Sequence, residues 1–166
     1  MSTIFDTTII NNIRDHLMAR RENIAVAESV TAGFVQAALS VAMDAAKFFQ
    51  GGITTYNLGQ KSRHLLVEPI HALTCNCVSE QVATEMSLQV CKLFNSDWGI
   101  AITGYSSPVP ESGNKLYAYY CIARQGEVLA TGQVIPDNDD PVNIQLWYTH
   151  QLLKQLQAFT SRTGLP

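Results

Sequence analysis

Asn23-Ile24-Ala25-Val26-Ala27-Glu28-Ser29-Val30-Thr31-Ala32-Gly33 is the stretch on which the fold turns. A short apolar run ends in polar groups, the pattern of a buried strand, and Thr31-Ala32-Gly33 then opens a helix. Its Phe34, Ala37, Ala38 and Val41 are expected to face inward. Upstream, Ile4, Ile9, Ile13 and Leu17 fall on one face of a helix over residues 4–18. Downstream, Gly51 to Tyr56 resembles a second strand, with its glycines counting against it. Residues 57–66 read as a short polar helix, ended by Pro69. Ser79 is a suitable N-cap for the next helix, in which Val82, Met86, Val90 and Leu93 repeat at helical spacing. Trp98 to Ile102 forms a third strand halted by Thr103-Gly104, and residues 105–114 form a loop. Residues 115–124 and 127–135, split by Gln125-Gly126, read as a β-hairpin. An acidic turn at 136–141 leads to a last helix over about 142–159, after which the tail is expected to fray.

Strands that alternate with helices and then give a hairpin imply an α/β protein with a mixed sheet covered on both faces by helices. Parallel crossovers are almost always right-handed, so neighbouring strands point their carboxyl ends the same way, and ligands bind outside those ends. That rule selects Glu28-Ser29-Val30-Thr31, Thr54-Thr55-Tyr56 and Thr103-Gly104, three segments rich in hydroxyl groups.

With 166 residues the chain reads as one domain, its core spanning about 5–160. Hydrophobic residues make up 46% and charged residues 15%, which excludes a disordered chain. The net charge of −3, with no basic block beyond Arg20-Arg21, argues against nucleic-acid binding. No apolar run is long enough for a membrane span, and the N-terminus lacks a signal-peptide pattern, so a cytoplasmic protein is expected. Cys75, Cys77, Cys91 and Cys121 lack zinc spacing and read as buried small hydrophobes. Glu28 and Asp97 stand alone, so no metal is expected, and Glu28 can equally fix its turn by hydrogen bonding.

Ser29, at a strand-to-helix turn, is either a nucleophile or phosphate-gripping hydroxyl, or else Ser29 or Thr31 is the N-cap of the next helix. The G-x-S-x-G elbow is absent. A serine nucleophile needs a base. His16 and His150 lie on amphipathic helices, His64 lies near the second strand end, and Lys61 follows Tyr56 by about one helical turn. Spacing alone makes Lys61 a solvated helix residue, and it serves as a base only if desolvation lowers its pKa. In the hairpin, Tyr117 and Tyr119 share one face and Tyr120 the other, the pattern of sheet residues and not of a base-stacking platform.

Four segments in order resemble the CinA C-terminal domain family: Ala27-Glu28-Ser29-Val30-Thr31-Ala32-Gly33, Gly51 to Tyr56 with Lys61, Val78-Ser79-Glu80, and Ala101-Ile102-Thr103-Gly104. The family's patterns are A-E-S-x-T-G-G, G-x-x-x-Y-x-x-x-x-K, V-S-x-x-V-A-x-x-M and T-G-I-A-G-P. The resemblance implies a three-layer α/β/α sandwich and a nicotinamide-mononucleotide deamidase, a pyridine-nucleotide recycling amidohydrolase that needs no cofactor. By similarity Ser29 would be the nucleophile, Lys61 its general base, and Tyr56 and Thr103 would orient or polarise the amide. Thr31, Gly33 and Gly104 would bind the substrate, and N–H groups around Val30 to Gly33 could supply an oxyanion site. Longer members carry a further N-terminal domain, so activity here is expected to be self-contained, and low charge with family habit suggests a homodimer.

The departures from the pattern cluster around the same crevice. Tyr105-Ser106-Ser107-Pro108-Val109-Pro110-Glu111-Ser112-Gly113 replaces a glycine-rich loop, Ala32 replaces a glycine, and the turn Pro136 to Pro141 carries three acids where the family has an arginine. Lys115 or Arg63 could supply the missing phosphate partner. Three readings therefore stand: an active amidohydrolase on a pyridine-nucleotide amide, an inactive member that binds a small ligand, and an interaction module that presents Tyr117, Tyr119 and Tyr120 to a protein partner.

Overall fold

The computed structural model describes residues 4–162, so the tail expected to fray lies largely outside the described residues. Helix α1 (Thr7–Arg20) starts at Asp6, whose carboxylate accepts from the N–H groups of Thr8 and Ile9. It leads into β1 (Ile24–Glu28), every residue of which is buried. Then come α2 (Phe34–Ser40), β2 (Phe49–Thr54), α3 (Leu58–Leu65), α4 (Pro69–Thr74) and α5 (Glu80–Phe94). Strand β3 (Trp98–Gly104), the hairpin β4 (Ala118–Arg124) and β5 (Glu127–Val134), and α6 (Pro141–Thr160) complete the described chain.

The strands form a five-stranded sheet in the order β2-β1-β3-β4-β5. The first three are parallel, and β4 and β5 run antiparallel, so the sheet is mixed as the alternation of strands and hairpin requires. Alternate strand residues feed two cores. One packs β1, β3 and β4 against α1, α2 and α6 through Ile13, Leu17, Leu39, Trp98, Ile100, Tyr148 and Leu152. The other packs Ala25, Ala27 and Ala101 against Leu65, Val82, Met86 and Val90 of α3 and α5. Helices thus cover both faces, giving three α/β/α layers. The chain leaves β1 to one side for β2 and crosses back to the other for β3, so a crevice opens beyond the ends of β1 and β3.

Several positions depart from the sequence reading. The inward face of α2 is Val35, Ala38 and Leu39, while Ala37 and Val41 are exposed. The cause is a turn with left-handed Ala32 (φ 51°) and Gly33 (φ 113°), which delays the helix to Phe34 and rotates its phase. Ile4 lies ahead of the cap and is exposed, and Ile10 is buried in α1 beside Ile9 and Ile13. Leu93, in the last turn of α5, is exposed, and Ala83, Ser87 and Cys91 share the buried stripe instead. Pro69 does not merely end α3: it occupies the first turn of α4, where its missing N–H costs nothing.

At the opposite end of the sheet Glu22 gathers Arg124 (2.5 Å), the Trp98 indole N–H (2.6 Å) and Arg20 (3.3 Å). Burial pushes its carboxyl up, but the hydrogen bonds from Arg124 and Trp98 outweigh that and hold it below the usual carboxylate value. The layer of α5 lies close on β3 because Gly99 has no side chain, and the Ser87 hydroxyl donates to the Gly99 carbonyl at 2.8 Å. A Cβ at Gly99 would collide with the Ser87 carbonyl and the Cys91 sulfur. Gly99→Ala is therefore expected to lower stability by about 2–3 kcal/mol, read as a fall in the urea midpoint with an unchanged slope.

Candidate active site

The ends of β1, β2 and β3 converge because the parallel register sets Glu28 beside Thr54 on one side and Ile102 on the other. At and just beyond these ends Ser29, Tyr56, Lys61, Thr103 and Gly104 line one cleft of about 570 Å³. At its floor the Lys61 amine lies 2.8 Å from Ser29 Oγ and donates to the Thr55 carbonyl at 2.7 Å. Lys61 is 1% exposed, so the solvated-helix alternative is excluded: α3 turns Leu58, Lys61 and Leu65 toward the sheet and leaves Gln60, Arg63 and His64 outside. Burial pulls its pKa down from 10.5 to about 8, with the Cys77 thiol acting weakly in the other direction. The same burial raises the Cys77 thiol, which Lys61 partly offsets.

Glu28 is fully buried and holds the turn from behind. Its carboxylate accepts from the Thr31 hydroxyl (2.5 Å) and from the N–H groups of Gly33 (3.0 Å), Val35 (3.1 Å) and Gln36 (2.8 Å). The start of α2 is thus capped by a residue far upstream, and neither Ser29 nor Thr31 is its cap. Thr31 and Gly33, expected to bind substrate, sit instead in this network, outside the cleft lining. The Ala32 and Phe34 N–H groups bond to Ser29 and Thr31 carbonyls. Around this turn the Val30 and Thr31 N–H groups have no partner among the described residues, and of the two residues only Val30 lines the cleft.

Thr103 is buried and its hydroxyl donates to the Cys77 carbonyl at 2.8 Å, so it presents lone pairs, not a proton, to the cleft. Tyr56 is 68% exposed at the rim. Gly104 lines the cleft where a Cβ would strike Ala118 of β4. His64 is exposed and pairs with Gln60 at 3.0 Å, away from Ser29. The tyrosines of the hairpin side form a ladder: Tyr105 meets Tyr117 edge-on at 5.3 Å, and Tyr117 meets Tyr119 at 5.9 Å, while Tyr120 is buried. Asn76, Cys77, Tyr105, Ser106, Ser107 and Glu111 also line the cleft and were not marked as site residues by the sequence reading. Their signal was position alone, in the loops that follow α4 and β3. Among the described residues no group of three or more His, Cys, Asp or Glu is arranged to hold a metal ion, and no helix is long and apolar enough to cross a membrane.

The CinA C-terminal domain family matches residues 6–159. The chain belongs to that family. A CinA-like protein of Picosynechococcus sp. is 38% identical over 111 residues, covering 67% of this chain and 26% of the relative. Another from Prochlorococcus marinus is 40% identical over 66% of this chain and 26% of its own. The chain spans about a quarter of the length of these curated relatives. The CinA superfamily protein of Enterobacter cloacae superimposes with a TM-score of 0.88 at 26% identity, covering 97% of this chain and 95% of that one. The Escherichia coli superfamily protein gives 0.85 at 26% identity, covering 95% and 90%.

Because the folded Lys61 value lies below 10.5, the unfolded chain binds a proton that the folded chain lacks between pH 8 and 10.5. Wild-type stability relative to Lys61→Met should therefore rise across that window, by up to about 3 kcal/mol, and be flat below it. Chemical denaturation of both proteins at pH 7, 8, 9 and 10 measures the difference.

Proposed function

We propose that this CinA-family chain is an amidohydrolase that releases ammonia from a pyridine-nucleotide-type carboxamide. The observation that carries the reading is the 2.8 Å contact between Ser29 Oγ and a buried lysine whose pKa is lowered to about 8. At pH 7 about a tenth of such a lysine is already a free amine, enough to act as a general base. Lys61 Nζ donates to both Ser29 Oγ and the Thr55 carbonyl, and once it has lost its proton the Ser29 hydroxyl can donate back to Nζ across the same 2.8 Å contact.

In the forward step Lys61 takes the Ser29 proton while Oγ bonds to the amide carbon. The oxygen that becomes negative is met by the unpartnered N–H group of Val30, which lines the cleft beside Ser29. The Lys61 ammonium then returns the proton to the departing nitrogen, which leaves as ammonia. Lys61 then takes a proton from water, whose oxygen bonds to the acyl carbon; the bond to Oγ breaks, Ser29 recovers the proton from Lys61, and the carboxylate is freed. The inactive-binder alternative has no need of a serine after β1 and a lysine from α3 held together at 2.8 Å, so the intact dyad favours catalysis over it.

Ammonia release should be measured from nicotinamide mononucleotide and nicotinamide riboside. Turnover of at least one is expected, with kcat/KM rising through a pKa near 8 and reaching a plateau above it. Ser29→Ala and Lys61→Met should each lower kcat by about a thousandfold or more. Well-folded wild type with background release from both compounds would contradict the reading.

A further inference from the structure

The cleft in front of Ser29 is charged in a way that disfavours one part of a nucleotide. Among the Lys, Arg, His, Asp and Glu residues described, only Lys61 and Glu111 line it. Lys61 is committed to Ser29 and Thr55, which leaves Glu111 as the free charge at the rim. The two cations that sequence reasoning offered as phosphate partners are elsewhere. Arg63 is exposed on α3 outside the lining, and Lys115 lines a neighbouring cleft of about 770 Å³. Tyr105 lines one cleft and Tyr117 the other, with their rings in contact at 5.3 Å.

The usual uncharged way to hold a phosphate is also closed at α2. Three of the N–H groups at its start are taken by the Glu28 carboxylate, whose negative charge repels a second anion. A phosphate in this cleft would give up its hydration and meet a carboxylate with no free cation. A flat cationic ring meets the opposite conditions. Leu58, Leu73 and Val78 contribute apolar side chains to the lining, Tyr56 adds an exposed aromatic ring, and Glu111 supplies the counter-charge. The Ser106 and Ser107 hydroxyls, without partners among the described residues, match the hydroxyls of a sugar.

Resting on the amide-hydrolase reading, we infer that the cleft takes a positively charged, phosphate-free aromatic carboxamide of the N-glycosylpyridinium class in preference to its phosphorylated form, and that Glu111 sets the preference. Glu111 selects by charge and takes no part in proton transfer, so its replacement changes the ratio between substrates and leaves the Ser29–Lys61 chemistry in place.

The experiment compares nicotinamide riboside with nicotinamide mononucleotide in the wild type and in Glu111→Lys. Ammonia release gives kcat/KM, and calorimetric titration of Ser29→Ala gives affinities without turnover. The riboside should be preferred in both assays. Glu111→Lys should shift the kcat/KM ratio toward the mononucleotide by about fivefold or more, mostly through KM. Glu111→Gln should give a smaller shift of the same sign. A wild type that prefers the mononucleotide, or a ratio unmoved by Glu111→Lys, overturns the inference while leaving the hydrolase reading intact. If neither compound is hydrolysed but the riboside binds more tightly to Ser29→Ala, the hydrolase reading falls and the selectivity stands. Binding of neither overturns it.

Discussion

A primary amine buried between the Ser29 hydroxyl and the Thr55 carbonyl is the arrangement on which the rest of this site depends. Removing an ammonium from water is costly, and the protein meets that cost partly with two hydrogen bonds and partly by letting the proton go more easily. The partners come from separate parts of the chain. Ser29 follows β1, Thr55 follows β2, and Lys61 lies one turn into α3. They meet because β1 and β2 pair in parallel with Glu28 opposite Thr54, and because the Thr55 N–H bonds to the Glu28 carbonyl at 2.9 Å. A shift of one residue in that register would turn Thr55 away and leave the amine without its second partner.

Behind the dyad, the Glu28 side chain performs a task that is structural in form and functional in consequence. By taking the N–H groups of Gly33, Val35 and Gln36, it neutralises the positive end of α2. What remains for a ligand is narrow: the unpartnered N–H group of Val30, which lines the cleft beside Ser29. A turn that could have served as a general anion site is thus closed to most anions, and under the proposed hydrolase reading it keeps room for the single oxygen of a tetrahedral intermediate. The same bonds fix the left-handed Ala32, an alanine in backbone that favours glycine, so the turn is held by the carboxylate and not by residue preference alone.

Much of this was legible in the sequence where periodicity and strand-end position carry the information. The strand over Ile24 to Glu28, the Ser79 cap and the hairpin around Gln125-Gly126 follow from local chemistry, and so does the crevice at the strand ends. The burial of Lys61 follows from the helix pattern and not from its spacing to Tyr56: Leu58, Lys61 and Leu65 form one helical stripe, so a helix docked on its leucines must carry the lysine inward. Other features were beyond a local reading. The phase of α2 depends on two left-handed residues, and the direction of the Thr103 proton depends on the Cys77 carbonyl, 26 residues distant in sequence. The cleft wall contributed by Asn76, Tyr105 and Glu111 comes from loops whose course tertiary packing decides, including the Tyr148 hydroxyl bonded to the Tyr105 carbonyl at 2.8 Å.

Catalysis of the proposed kind requires Lys61 to be an amine that loses its proton near neutrality while held against Ser29. An NMR titration of the Lys61 side chain, with the signal assigned by its loss in Lys61→Met, measures this directly in the resting protein. The prediction is a transition at about pH 8, which moves in Ser29→Ala because the hydroxyl partner is gone. A transition at the 10.5 of an ordinary lysine, unaffected by Ser29→Ala, would contradict the dyad and with it the catalytic reading of the cleft.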